Sequence, residues 1–213
     1  MDLTYLRNVA LALRKGNRLV GWEELGTGHF SHVFHNAAAA PDVVIKLSGR
    51  GSYGWGDLTT TSKRANPNYN DDMSDAYPEY AKWCMKNQHL RGIPKVYHCE
   101  RLSKSLWLTI TEYIPHGFRD NENALAKALP SYLLLDARDT YPFTNIDYMI
   151  HNVDGQKVLS RACRRGEPYA MTVRALGQFI ASNSADMESD LHTGNLRFRA
   201  DGSLVFTDPV KGR

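Results

Sequence analysis

The tightest constraint in this sequence lies near its end, where two short apolar runs flank a turn and oxygen-bearing side chains crowd both sides. Leu196 to Arg199 alternate apolar and polar, Asp201-Gly202 is a strong hairpin signal, and Leu204 to Thr207 resume the strand pattern. A hairpin of that length brings its flanks back together, so Asp190, Asn195 and Asp208 are expected near one another at one end. Two carboxylates and an amide oxygen are hard donors that suit Mg²⁺ shared with substrate phosphates. One of the carboxylates can instead take a proton from an attacking hydroxyl.

Upstream, the chain changes character twice. Leu3, Leu6, Val9, Ala10 and Leu13 recur at helical spacing, and Arg14-Lys15-Gly16-Asn17 supplies cations and a stop. Strands are expected over Leu19 to Leu25, Phe30 to Phe34 and Val43 to Leu47, connected tightly enough for an antiparallel meander. Ser48 to Asp72, rich in Gly, Ser, Thr, Asn and Asp, reads as a long mobile loop. Ser74-Asp75 has capping chemistry and Pro78 suits a first turn, so Glu79 to Asn87 reads as a helix. Two more strands, Lys95 to Cys99 and Ser105 to Tyr113, precede the break at Pro115-His116-Gly117. Beyond it, Glu122 to Asp136, parts of Thr144 to Arg164, and Met171 to Asn183 favour helices, the last with Val173, Leu176, Phe179 and Ile180 on one face. A strand-rich part followed by a helix-rich part predicts an α+β chain of two lobes with a cleft between them, residues 1–114 and 115–213.

The net charge of +3, from 26 Lys+Arg against 23 Asp+Glu, is too small to argue for direct nucleic-acid binding. Three cysteines, Cys84, Cys99 and Cys163, lie far apart and match no disulfide framework or zinc spacing. No apolar run approaches the roughly 20 residues of a membrane helix. Met1-Asp2-Leu3-Thr4 lacks a signal-peptide core, so a soluble cytoplasmic protein is expected. His29, His32 and His35 recur every third residue, and on an alternating strand they cannot converge on one metal.

Two further sets of residues can handle phosphate. Gly26-Thr27-Gly28, followed by Ser31 and Val33, sits between two strands, where glycines let backbone N–H groups approach phosphate oxygens. A lone pair of glycines is more often a plain hairpin turn, and the strand–turn–strand setting excludes a dinucleotide fold. Lys46 stands among apolar neighbours on the strand leaving that hairpin. A buried lysine there is costly unless an anion accompanies it, and in isolation it is more often an edge residue reaching water. A carboxylate on the following helix is expected to orient it, Glu79 in first place and Asp75 in reserve.

Gly26-Thr27-Gly28-His29-Phe30-Ser31, Val44-Ile45-Lys46, Gly92-Ile93-Pro94-Lys95-Val96-Tyr97, the Asp190 to Asn195 loop and Thr207-Asp208-Pro209 occur in that order across most of the chain. Together they resemble the early serine/threonine protein kinases of short-tailed T-odd bacteriophages. The resemblance implies a protein-kinase-like fold, with a five-stranded antiparallel N-lobe sheet and a minimal helical C-lobe. It implies ATP and Mg²⁺ as cofactors and bacterial host proteins as substrates, in the cytoplasm of an infected cell. Lys46 would then pair with the α- and β-phosphates, Asp190 would be the catalytic base, and Asn195 and Asp208 would bind Mg²⁺. Glu112-Tyr113-Ile114 would be the hinge that meets adenine, with Thr111 at the back of the pocket.

The sequence also departs from the general protein-kinase pattern. Glu188-Ser189-Asp190 replaces His-Arg-Asp, Pro209 follows the metal-binding acid where Phe-Gly is usual, and Ser31 stands at the third glycine. Little chain follows Pro209, so an activation loop of the usual kind is not expected. Asp190-Leu191-His192-Thr193-Gly194-Asn195 is also close to the loop of aminoglycoside and choline kinases, which makes a small-molecule phosphotransferase the alternative. A host-shutoff binding protein on a kinase scaffold is the third reading. Arg161, Arg164 and Arg165 form a basic cluster that reads as a solvated face or as a contact for an acidic partner.

Overall fold

The computed structural model describes residues 1–27, 31–49, 75–104, 106–117, 130, 144–191 and 195–212. The chain is mixed α+β and divides into two compact units. The first comprises Met1–Met85, Lys95–Tyr113 and Gly212–Arg213; the second comprises Lys86–Pro94 and Ile114–Lys211.

The first unit is built on a five-stranded sheet of β1 (Glu23–Thr27), β2 (Ser31–Asn36), β3 (Ala40–Gly49), β4 (Val96–Ser103) and β5 (Leu106–Glu112). Their order is β1-β2-β3-β5-β4, and every neighbouring pair is antiparallel. β3 is central and buried from Val43 to Gly49, as its run of Val, Ile and Leu predicts. Alternation along the strand separates two faces. Val43, Ile45 and Leu47 join Leu106, Leu108 and Ile110 beneath helix α1 (Leu3–Arg14), which contributes Leu6, Val9, Ala10 and Leu13. Asp2 caps α1 by accepting from the Tyr5 N–H at 3.0 Å. The opposite face of the sheet carries Ser31, His35, Lys46, Ser48, Thr109 and Thr111, all buried.

Helix α2 (Tyr77–Lys86) turns Tyr77, Tyr80, Ala81 and Cys84 inward, and its first turn lies against this polar face. The Asp75 carboxylate receives the Tyr77 N–H at 2.9 Å, which supplies the expected cap. The stretch Leu19 to Gly21, expected at the start of a strand, forms a turn instead. The Trp22 N–H donates to the Leu19 carbonyl at 3.1 Å, and Gly21 adopts a φ of 77°, which β-branched and bulky residues avoid.

The second unit carries helices α3 (Thr144–His151), α4 (Val153–Arg164) and α5 (Ala170–Ser182). Its short strands are β6 (His116–Gly117), β7 (Met187–Ser189), β8 (Leu196–Phe198), β9 (Leu204–Phe206) and β10 (Val210–Gly212). β6, β8 and β9 form one antiparallel sheet, and β7 pairs with β10. The expected glycine-hairpin tip at 28–30, most of the Ser48–Asp72 loop, the Glu122–Asp136 helix and residues 192–194 lie outside the described residues. Among the described residues, no helix is long and apolar enough to cross a membrane.

Candidate active site

In the first unit, register decides which side chains share a face. Gly26 pairs with Val33, Val33 with Lys46, Lys46 with Thr109 and Thr109 with Cys99, a single row across all five strands. Cross-strand partners point to the same side, so Lys46 and Val33 project from the face over which the Gly26 backbone lies. A β-bulge between Glu24 and Gly26 shifts the register just before the glycines. A Cβ built on Gly26 would meet nothing within 4 Å, so packing within the protein does not require glycine there. Thr27 closes β1, and Ser31 opens β2 at 8% exposure.

Lys46 is 6% exposed, and its ammonium sits 3.3 Å from the centroid of the Tyr77 ring. The ring's negative face attracts a desolvated cation. Glu79, expected to orient Lys46, does not do so. Its carboxylate accepts from Lys82 Nζ at 2.7 Å, and its side chain is 55% exposed. The cause is helical phase. Two residues beyond Tyr77, Glu79 is rotated by about 200° to the solvent face of α2. Asp75 serves as the helix cap rather than as a surface charge.

At the end of β5, the Lys95 carbonyl accepts both the Thr111 hydroxyl at 2.9 Å and the Glu112 N–H at 2.9 Å. The Glu112 carboxylate receives the Lys95 N–H at 2.8 Å. Its side chain therefore ties the residue that precedes β4 to the end of β5. Tyr113 donates its N–H to Asp42 at 2.8 Å and stacks on His35 with ring centroids 4.0 Å apart. In the second unit, the Ile114 carbonyl accepts from Arg197 Nη1 at 3.2 Å.

The second unit gathers the acidic groups at one end of the β8–β9 hairpin. The strands register Leu196 with Phe206 and Phe198 with Leu204, and Gly202 at a φ of 80° makes the turn. Asn195 immediately precedes β8, and its carbonyl accepts the Thr207 N–H at 2.8 Å. Its amide nitrogen donates to the Asp190 carbonyl at 2.7 Å and to Asp190 Oδ2 at 3.1 Å. Two acceptors on that side fix the amide orientation and turn its Oδ1 the other way. The Asp190 N–H donates to the Pro209 carbonyl at 2.8 Å, which draws the chain at Asp208 alongside Asp190. Asp208 Oδ1 is shielded from solvent. Across the β7–β10 pair, Lys211 Nζ meets Glu188 at 3.1 Å.

Among the described residues, no three His, Cys, Asp or Glu side chains cluster closely enough to hold a metal by themselves. The Asn195 amide and the Asp208 carboxylate are the oxygen donors that flank this hairpin. Such donors suit Mg²⁺, which usually takes one or two carboxylates and completes its shell with phosphates and water.

Sequence reasoning missed the residues that brace this hairpin. Gly92, at a φ of 85°, accepts the Phe206 N–H on its carbonyl at 2.9 Å. A Cβ there would lie 2.8 Å from the Tyr169 ring and 3.0 Å from the Leu204 carbonyl, so Gly92-Ile93-Pro94 must begin with glycine. Arg199 Nη2 holds the Ile93 carbonyl at 2.9 Å. Tyr169, left-handed at a φ of 64°, accepts the Leu204 N–H on its hydroxyl at 2.9 Å. The signal available in the sequence was Gly92 before Ile93-Pro94; nothing in it marked Tyr169.

Burial raises the pKa of the Cys84 and Cys99 thiols, which makes them poor nucleophiles. No protein-family model and no curated protein matches the chain.

Proposed function

We propose that the chain is an ATP-dependent serine/threonine protein kinase that acts on bacterial host proteins. The observation that carries this reading is the clasp in the second unit, where Asn195 holds the Asp190 carboxylate while backbone hydrogen bonds draw Asp208 to the same hairpin end. The row of Gly26, Val33 and Lys46 in the first unit supports it, since it places a buried cation and an open glycine backbone on one sheet face. The phage lineage and the host substrates rest on the sequence resemblance alone.

In this reading Lys46 pairs with the α- and β-phosphates. The Asp190 carboxylate takes the proton of a serine or threonine hydroxyl. That oxygen bonds to the γ-phosphorus as the bond to the bridging oxygen breaks, and ADP leaves. When bound, Mg²⁺ neutralises phosphate charge, and Asn195 and Asp208 are the residues that would hold it. Positioning and charge neutralisation supply most of the acceleration in such transfers.

The test is transfer of γ-phosphate label from ATP to proteins of a bacterial lysate. Asp190→Asn should lower the rate by about 10²–10⁴-fold while nucleotide binding persists. A wild-type rate in that variant would remove Asp190 from the chemistry. Label appearing on aminoglycosides or choline rather than on protein would favour the small-molecule alternative.

A further inference from the structure

The helices of the second unit carry a surface feature that phosphoryl transfer does not use. α3, α4 and α5 enclose a hollow of about 310 Å³ lined by the buried side chains of Met149, Ile150, Leu159 and Val173, with exposed Arg174 also at its wall. Gln156 and Ser160 also line a second, more open trough of about 370 Å³ that takes in Lys157, Arg161 and Arg164. The two hollows thus adjoin at Gln156 and Ser160 as a groove whose deeper part is walled by apolar side chains with Arg174 at its edge, and whose shallower part is cationic. Its geometry is fixed locally, because Gln156 Nε2 donates to the Ile150 carbonyl at 2.9 Å.

The cations are not spent on internal pairs. Lys157 meets Asp154 at 2.9 Å, but both side chains are more than half exposed, so the pair is weak. Arg161, Arg164 and Arg174 are exposed and make no ion pair among the described residues. Lys157, Arg161 and Arg164 follow at helical intervals and form one stripe along α4. A guanidinium fork matches a carboxylate with two parallel hydrogen bonds. A hollow of this size, walled by Met, Ile, Leu and Val, takes an apolar side chain.

We propose that this groove docks an acidic peptide segment of a partner protein. Its aspartates or glutamates lie along Arg161, Arg164 and Arg174, and one apolar side chain enters the hollow between α3, α4 and α5. Single-stranded nucleic acid is the competing anion, but its binding surfaces stack bases on aromatic rings, and among the described residues no aromatic side chain lines either hollow. The apolar end would also go unused by a phosphate backbone. Docking of this kind goes beyond the kinase reading and does not depend on it, because binding is measured without nucleotide.

The experiment is fluorescence anisotropy with the full chain and three labelled probes: a short synthetic peptide of glutamates interrupted by leucine, polyglutamate, and single-stranded RNA. The leucine-bearing peptide should bind tightest, and its affinity should fall as salt rises, as expected for exposed charges. Arg161→Glu combined with Arg164→Glu should weaken it by about tenfold or more. Ala181→Trp, which fills the hollow from an exposed position, should weaken the leucine-bearing peptide while leaving polyglutamate unchanged. Equal binding of RNA or polyglutamate, peptide affinity indifferent to charge reversal, or no binding at all would overturn the proposal. The ranking of the three probes on the unmutated chain decides the question even where a variant fails to fold.

Discussion

The strand around Lys46 was legible as buried from Val43, Val44, Ile45 and Leu47, but the side chain itself, which in isolation reads as an edge residue reaching water, lies at 6% exposure. Its neighbour on α2 was not legible. Sequence reasoning favours a carboxylate for a buried ammonium, yet the phase of α2 turns Glu79 to Lys82 and places the Tyr77 ring under the cation. Only the position of the first helical residue decides between them, and that boundary is the least determined feature of a sequence. The Lys46–Tyr77 contact has a measurable signature. In a double-mutant cycle of Lys46→Met and Tyr77→Leu, urea unfolding should report a coupling of about 0.5–2 kcal/mol, the range for a cation held over a ring with partial desolvation. Additive effects would mean that the ring does not support the cation.

Helices and strands show the same division between what pattern reveals and what packing decides. The apolar spacing of α1 specified most of its buried face: Leu6, Val9, Ala10 and Leu13 are buried, whereas Leu3, expected with them, is exposed at the first turn. The break between α3 and α4 was blurred, although Asn152 has the chemistry of an N-cap and accepts from the Asp154 N–H at 2.9 Å. Helical periodicity continues across the break, so a single capping residue had to be read against a continuing pattern. The corner depends on Gly155, where a Cβ would lie 2.3 Å from the Tyr148 carbonyl and 2.8 Å from Met149 Cα. Those are backbone atoms and cannot yield as a side-chain end can. Gly155→Ala should therefore cost about 1–3 kcal/mol as overpacking, seen as a fall in Tm of about 2–10 °C. An unchanged Tm would mean that the corner relaxes without loss.

At the scale of the molecule, alternation and turn signals marked five strands and an antiparallel meander of the first three, whereas the order of all five could not be read from them. β5 lies between β3 and β4, so the chain leaves β3, passes α2 and returns as the edge strand β4 before it folds back as β5 beside β3. Pairing between strands distant in the chain is not written in local alternation, and the only local mark is composition: β5 buries Leu106, Leu108 and Ile110, whereas the edge strand β4 carries His98, Glu100 and Arg101. The oxygen donors at the hairpin end were legible for the opposite reason: Asp190, Asn195 and Asp208 are close in sequence, and one turn suffices to gather them. This difference bears on the most direct test of the whole chain. A ligand bound by the native protein and not by the unfolded chain stabilises it by about 2.7 kcal/mol at 100 times its Kd, a rise in Tm of about 5–10 °C. ATP with Mg²⁺ should produce such a rise in the full chain. Asp208→Asn should lose the part of the shift that depends on Mg²⁺, while Asp190→Asn keeps it, because Asp190 is assigned to proton transfer rather than to the metal. A thermal scan without any shift for the unmutated chain would remove nucleotide binding, and an identical Mg²⁺-dependent shift in Asp208→Asn would remove the metal from that carboxylate.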